Sequence, residues 1–122
     1  MKIAKAWPGQ LNYGSGGNGS SSHLAGEMFN VLAGVTTIHV PYKGSVFAMN
    51  DLIVGQLQFI MPSQINVIPH VKSGRVKLIA TTGATRDPLL PGLPTVAETV
   101  PGFEITAWWG VAVPAKTPAG IV

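Results

Sequence analysis

A glycine- and serine-rich stretch at residues 14–20, Gly-Ser-Gly-Gly-Asn-Gly-Ser, is the part of the chain best suited to bind a ligand. It lies between a short predicted strand and a predicted helix, and its glycines let the backbone approach a bound group closely. The N-terminus of that helix presents N–H groups without intrahelical partners and a partial positive charge. We therefore predict an anion-binding loop, with the candidate residues Ser15, Gly16, Gly17, Asn18, Gly19 and Ser20. The alternative is that these residues only form a tight turn and cap the helix.

The same stretch matches the pattern G-x-G-x-x-G, which is also found in nucleotide-binding oxidoreductases. Two features weaken that alternative. The preceding strand is only three residues long and is polar at Asn12. After the second predicted strand, the chain offers His39, Tyr42 and Lys43 where an NAD site needs an acidic residue. A pattern this short leaves the alternative open.

Other polar residues add candidates but no catalytic set. Ser63 opens a helix after the third predicted strand and repeats the anion-binding geometry, while His23 and Tyr42 are candidates for further ligand contacts. The alternative for His23 is that it bonds a neighbouring backbone group and serves packing. Ser15 has no predicted base, and Glu27 and Asp51 are interpreted as solvated helix residues. No two histidines have metal-ligand spacing. We therefore expect neither an enzyme, nor a cofactor, nor a metal site.

Short apolar stretches alternate with helical ones along the first 80 residues. Strands are predicted at 11–13, 36–40, 57–60 and 76–80, and helices at 20–33, 45–54 and 63–72. This order predicts an α/β fold, a mainly parallel sheet with helices on both faces. The first of these helices is expected to bury Leu24, Met28, Val31 and Leu32 and to end at Gly34.

The pattern changes after Arg86, where prolines and glycines predict extended or turning chain. A short helix is predicted near 95–100 and a long aromatic strand at 104–113. Thr117 followed by Pro118 is typical of a helix start. Because only four residues follow Pro118, we expect this chain to continue into a longer protein.

The composition fits one globular domain and limits its partners. With 122 residues, 46% of them hydrophobic and 11% charged, the chain can bury a core. The net charge of +3 is not gathered into a basic and aromatic surface, so we expect no nucleic-acid partner. No apolar run reaches the length of a membrane span, and the first residues lack the apolar region of a secretory signal. If the protein is exported, its signal peptide lies outside this sequence.

Several motifs in order resemble one family, the Bug-type (Bordetella uptake gene) receptors, which are the extracytoplasmic solute receptors of tripartite tricarboxylate transporters. They lie at residues 11–15, 17–20, 23–27, 39–44, 93–98, 101–103 and 114–118, with the sequences Leu-Asn-Tyr-Gly-Ser, Gly-Asn-Gly-Ser, His-Leu-Ala-Gly-Glu, His-Val-Pro-Tyr-Lys-Gly, Leu-Pro-Thr-Val-Ala-Glu, Pro-Gly-Phe and Pro-Ala-Lys-Thr-Pro. The resemblance therefore covers nearly the whole chain.

The resemblance implies one lobe of a periplasmic binding protein of the type II-like fold, whose two lobes close on a small carboxylate-bearing solute and deliver it to membrane permease subunits. Residues 1–122 would be a single ligand-binding lobe, with a core at about 11–103 and a crossover at 104–122 to the first lobe. The loop at 14–20 would grip the carboxylate, with Ser20 where threonine is usual. Pro62 replaces a common aspartate before Ser63, which implies a solute without an amine. A sensor that contacts a signalling protein is a further alternative.

Overall fold

The computed structural model describes residues 2–118 and 120. Its elements follow each other in the order α1 (Lys2–Ala6), β1 (Asn12–Ser15), α2 (Ser21–Ala33), β2 (Ile38–Pro41), α3 (Ser45–Ile53), β3 (Phe59–Ile60), α4 (Gln64–Lys72) and a 3₁₀ turn (Val96–Glu98). Up to α4, each predicted strand or helix is present, with its ends shifted by a few residues.

The three strands form one parallel sheet in the order β2-β1-β3. Gly14 of β1 lies beside Val40 of β2 on one side and beside Ile60 of β3 on the other. The chain thus moves from β1 to one neighbour and then crosses back to the other side, so the strand order reverses at β1. The prediction of an α/β fold with a parallel sheet is confirmed.

Helices cover both faces of this sheet. Because successive residues of β1 point to opposite faces, neighbouring residues of this strand meet different helices. Tyr13, which is fully buried, faces α2 at Gly26, where an added Cβ would overlap the tyrosine ring. Gly14 faces α3, where an added Cβ would lie 3.1 Å from the Cβ of Ala48. Both approaches depend on glycine, and together they fix β1 at the centre of the fold.

The buried face of α2 differs from the prediction. Leu24, Val31 and Leu32 are exposed, and only Met28 packs at the edge of the core. The helix instead buries small residues: Ser22, Ala25, Gly26 and Ala33. The prediction was wrong because it assigned the core to the largest apolar side chains, whereas the Tyr13 ring occupies the space between helix and sheet. The predicted end at Gly34 is confirmed, with φ 61° in the left-handed region.

The segment after Arg86 returns to the core through Val100 and Phe103, which are buried with Ala25, Ala33 and Val35. Thr95 begins the 3₁₀ turn with a capping box, and its N–H donates to Glu98 Oε1 at 3.0 Å. Glu98 also pairs with Arg86 through two hydrogen bonds of 2.7 and 2.6 Å. The helix predicted near 95–100 is therefore a single 3₁₀ turn.

Two predicted strands do not form in the described part of the chain. The stretch 76–80 makes no strand, and only Thr81 forms an isolated parallel bridge, to Thr95. The long strand predicted at 104–113 is unpaired there, with Trp108 85% and Trp109 81% exposed. Aromatic and β-branched residues favour a strand only when a neighbouring strand completes the hydrogen bonds.

A helix was predicted to begin at Thr117, but neither Thr117 nor Pro118 is helical. Ala119, Ile121 and Val122, onto which that helix was expected to continue, lie outside the described residues. Among the described helices, none combines the length and apolar character that crossing a membrane requires.

Candidate functional site

The carboxyl ends of all three strands meet at one edge of the sheet. β1 ends at Ser15, β2 at Pro41 and β3 at Ile60, and the loops that follow lead directly into α2, α3 and α4. In open parallel sheets, ligands bind in the crevice outside this edge, next to the point where the strand order reverses. Here that point is the end of β1, which leads into the loop at residues 14–20, named the Gly/Ser loop below.

The Gly/Ser loop needs glycine at Gly17 and Gly19. Their φ angles are +128° and +77°, a region that side chains rarely adopt. Gly17 also passes close to the next loop, since an added Cβ would lie 3.1 Å from the carbonyl oxygen of Tyr42. The loop is therefore held between the start of α2 and the chain that follows β2.

Most polar groups of the Gly/Ser loop are bonded within the loop or to α2. Ser20 caps α2, since its Oγ accepts from the His23 N–H at 3.3 Å and donates to the Gly17 carbonyl at 2.7 Å. The Gly16 N–H donates to Ser22 Oγ at 3.0 Å, and the Gly17 N–H donates to Ser15 Oγ at 3.1 Å. The prediction that Ser20 caps the helix is therefore confirmed. This role is compatible with ligand binding by the same loop.

Three N–H groups at the start of α2, those of Asn18, Ser21 and Ser22, form no hydrogen bond within residues 2–118 and 120. Ser22 is buried, whereas Asn18 and Ser21 are exposed, so these two remain available to a ligand. They lie where the helix dipole gives a partial positive charge. This arrangement can accept an anion from solvent without first breaking an internal hydrogen bond.

Ser15 differs from its prediction in one respect. It is 1% exposed, and its Oγ lies 2.6 Å from Nε2 of His39, so the expectation that no base stands beside this hydroxyl was wrong. The sequence did not show the contact because 24 residues separate the two, and only the register of β1 against β2 brings them together. His39 is thus a residue of the site that sequence reasoning missed.

His23 bonds the backbone, which was the more ordinary of its two interpretations. Its Nδ1 accepts from the Gly19 N–H at 3.0 Å. Its ring also stacks on the ring of His39, with centroids 4.0 Å apart. Burial, and then the neighbouring His23, lower the pKa of His39, so that its neutral form predominates at pH 7.

The Tyr42 hydroxyl bonds a carboxylate of α3. The hydroxyl donates to Asp51 Oδ2 at 2.6 Å, and this bond raises the pKa of Tyr42 to about 12. Its backbone N–H donates to the Ser15 carbonyl at 3.1 Å, which ties the second loop to the first. A recess of about 430 Å³ opens beside it, lined by Pro41, Tyr42, Lys43, Phe47, Asn50 and Asp51.

Neither Glu27 nor Asp51 is the purely solvated residue expected from the sequence. Asp51 accepts from Tyr42, and Glu27 Oε1 accepts from the buried Tyr13 hydroxyl at 2.6 Å. Burial, and then this bond, raise the pKa of Tyr13. Each carboxylate therefore anchors a tyrosine that packs near the carboxyl edge.

Ser63 lies at the same edge and begins α4. It follows β3 by three residues, and β3 lies beside β1 on the side where the strand order reverses. Its side chain forms no capping hydrogen bond, and Ser63 is half-buried. The structure thus brings Ser63 to the edge that holds the Gly/Ser loop, with its hydroxyl unused in the described chain.

No group of three or more metal-ligating side chains is present among the described residues. The nucleotide alternative gains nothing either, because β2 runs into Pro41, Tyr42 and Lys43 without an acid for a ribose. What the edge offers is backbone N–H groups and hydroxyls, which suit a small anion.

Comparison with known proteins identifies relatives for the whole chain. The family model described as "Tripartite tricarboxylate transporter family receptor" matches residues 1–122. A curated protein of Pseudomonas sp. (strain P51), the UPF0065 protein in the tcbD-tcbE intergenic region, is 38% identical over 124 residues; the match covers 100% of this chain and 37% of the relative.

The solved structures that resemble this chain include two of particular interest. Rpa4515 of R. palustris with adipate has a TM-score of 0.95 and 37% identity, and the match covers 98% of this chain and 40% of that one. The periplasmic binding protein BugD has a TM-score of 0.78 and 36% identity, with coverage of 85% and 35%. The chain therefore spans well under half the length of the proteins it matches.

Proposed function

The chain belongs to the tripartite tricarboxylate transporter receptor family, and we propose that it forms one ligand-binding lobe of an extracytoplasmic receptor for a small carboxylate-bearing solute. The resemblance found in the sequence motifs is confirmed by this family match. The family consists of receptors, which agrees with the absence of a predicted catalytic set in the sequence.

The observation that carries the proposal is the exposed pair of N–H groups of Asn18 and Ser21 at the start of α2, which form no hydrogen bond within the described residues. A carboxylate has two oxygens that accept hydrogen bonds, and a helix N-terminus favours a negative charge. Glycines on both sides of Asn18 leave room for the carboxylate to approach the backbone. The adipate held by the similar R. palustris protein is a dicarboxylate, which supports a ligand of this class.

In this proposal, the residues of the site divide into two groups. Gly16, Gly17, Asn18, Gly19 and Ser20 form the wall against the carboxylate, and the Ser63 hydroxyl adds a donor from the neighbouring strand end. Ser15 supports the loop from the inside, because its hydroxyl is buried. His23 and Tyr42 act indirectly on the ligand, because the His23 ring already bonds the Gly19 N–H and the Tyr42 hydroxyl already bonds Asp51.

The rest of the receptor completes the cleft. We propose that residues 11–103 are the core of this lobe and that 104–122 lead toward the other lobe, whose chain would supply the partner that the exposed Trp108 and Trp109 lack here. Closure of the two lobes would trap the solute and present the closed form to permease subunits. A receptor with these partners is periplasmic, as the similar BugD is described to be.

The test is to identify the ligand of the complete protein. Native mass spectrometry of the purified protein should reveal a bound small carboxylic acid, and calorimetry against mono-, di- and tricarboxylates should give a saturable signal. The matching amides serve as controls, because they keep the shape of each acid and lose its charge. Equal affinity for an acid and its amide, or binding of NAD in place of any acid, would contradict the proposal.

A further inference from the structure

The two stacked histidines join the opposite ends of the Gly/Ser loop. His39, on β2, contacts Ser15 at the start of the loop, and His23, on α2, contacts Gly19 near its end. Their rings lie 18° from parallel with centroids 4.0 Å apart. We propose that this pair, called the histidine clamp below, positions the loop for its carboxylate; the inference rests on the function proposed above.

Hydrogen-bond accounting indicates how His39 holds Ser15. The Ser15 hydroxyl has one proton, and the possible acceptors are the Gly17 carbonyl at 3.2 Å and His39 Nε2 at 2.6 Å. The Gly17 carbonyl already accepts from the hydroxyl and the N–H of Ser20, at 2.7 and 3.2 Å. A carbonyl oxygen has two lone pairs, so the proton goes to His39.

Both rings of the clamp therefore act as acceptors, through different nitrogens. His39 accepts at Nε2 and carries its proton on Nδ1, whereas His23 accepts at Nδ1 and carries its proton on Nε2. Because the Ser15 hydroxyl directs its proton to His39, its oxygen turns a lone pair toward Gly17. Ser15 Oγ then accepts a hydrogen bond from the Gly17 N–H at 3.1 Å. The clamp thus orients the loop backbone at Gly17 and Gly19, on either side of the free N–H of Asn18.

The surroundings of His39 hold its ring in place and favour its neutral form. The Tyr13 ring stacks on His39 with centroids 4.9 Å apart and is itself fixed by its bond to Glu27. The titratable groups that face His39 are His23 and Glu27 from α2 and Tyr13 from β1. Burial is the largest of the effects that lower the pKa of His39.

Four variants of the complete protein separate positioning from packing. Glutamine places an amide near the position of Nε2, and asparagine places one near Nδ1, so His39→Gln and His23→Asn keep the hydrogen bonds and lose the aromatic stacking. His39→Phe and His23→Phe keep the stacking and lose the bonds. We expect about tenfold weaker carboxylate binding in each phenylalanine variant, the effect of losing one hydrogen bond that orients the loop, and less than about threefold in the amide variants.

Two readouts on the ligand-free protein test the clamp without a ligand. Imidazole ¹⁵N spectra should show the two opposite tautomers, and hydrogen exchange at the Gly17 and Gly19 amides should be faster in the phenylalanine variants alone. The reverse order, with phenylalanine tolerated and the amides impaired, would show that the rings only pack. Four variants with wild-type affinity and exchange would also overturn the inference. If wild-type protein binds no carboxylate, the proposed function fails, while the tautomers and the exchange rates still decide whether the rings hold the loop.

Discussion

Gly26→Ala tests the close approach of α2 to the sheet. An added Cβ would overlap the Tyr13 ring, which cannot retreat easily because it stacks on His39 and Phe59 and its hydroxyl bonds Glu27. Overpacking a core costs about 1–3 kcal/mol. Replacing a glycine by alanine inside a helix stabilises the helix by about 1 kcal/mol, which offsets part of this cost. With the ring held on several sides, the upper end of the cost applies, and the free energy of unfolding should fall by about 2 kcal/mol.

In the complete protein, this loss should lower the thermal midpoint by roughly 4–8 °C. Differential scanning calorimetry measures the midpoint, and Gly92→Ala is the matched control, since an added Cβ there meets no atom within 4 Å and its φ lies outside the glycine region. The control should stay within about 0.5 kcal/mol of wild type. A Gly26→Ala protein as stable as the control would refute the tight contact between Tyr13 and α2.

Three further predictions concern the Gly/Ser loop, the ligand and the 3₁₀ turn. Gly17→Ala forces a side chain into φ +128°, at a strain of about 1–3 kcal/mol, so carboxylate affinity in calorimetry should fall by about tenfold or more while Gly92→Ala binds as wild type. The family resemblance implies an aspartate at the position of Pro62, and without that partner for an amine we expect aspartate and glutamate to bind more weakly than simple dicarboxylates in the same titrations; the opposite ranking would contradict this. Arg86 and the Thr95 N–H lower the pKa of Glu98 to about 2, so its ionised form stabilises the fold above the usual glutamate range and this contribution is lost as the pH falls toward 2. Glu98→Gln should therefore lower the thermal midpoint at pH 7, and the difference from wild type should shrink on acidification; a constant difference would show that the ion pair is not its source.

The parts of the fold that the sequence predicts well are those with local signals. Ser20 and Gly34 mark the ends of α2 because a hydroxyl caps a helix start and a left-handed glycine ends one. The parallel sheet is also predicted from a local signal, the alternation of short strands and helices along the chain. These features depend on residues a few positions apart.

The features missed depend on distant residues. The contact of Ser15 with His39 requires the register of two strands, and the buried face of α2 requires knowing that the Tyr13 ring fills the space beneath Gly26. The strand predicted around Trp108 has the right residue types but no partner in the described chain. Once a parallel pairing of β1 and β2 is assumed, the alternation of side chains does place His39 on the face of Tyr13, which is the signal that would have found it.

The proposed carboxylate site lies at the start of α2, where the N–H groups of Asn18 and Ser21 have no hydrogen-bond partner among the described residues. The most direct measurement is a ¹⁵N-resolved NMR titration of the complete protein with a dicarboxylate such as adipate and, in parallel, with its diamide. The acid should shift the Asn18 and Ser21 amide resonances downfield and slow their hydrogen exchange, and the diamide should leave them unchanged. A saturable binding signal from any carboxylate that leaves both amides unmoved would contradict the account.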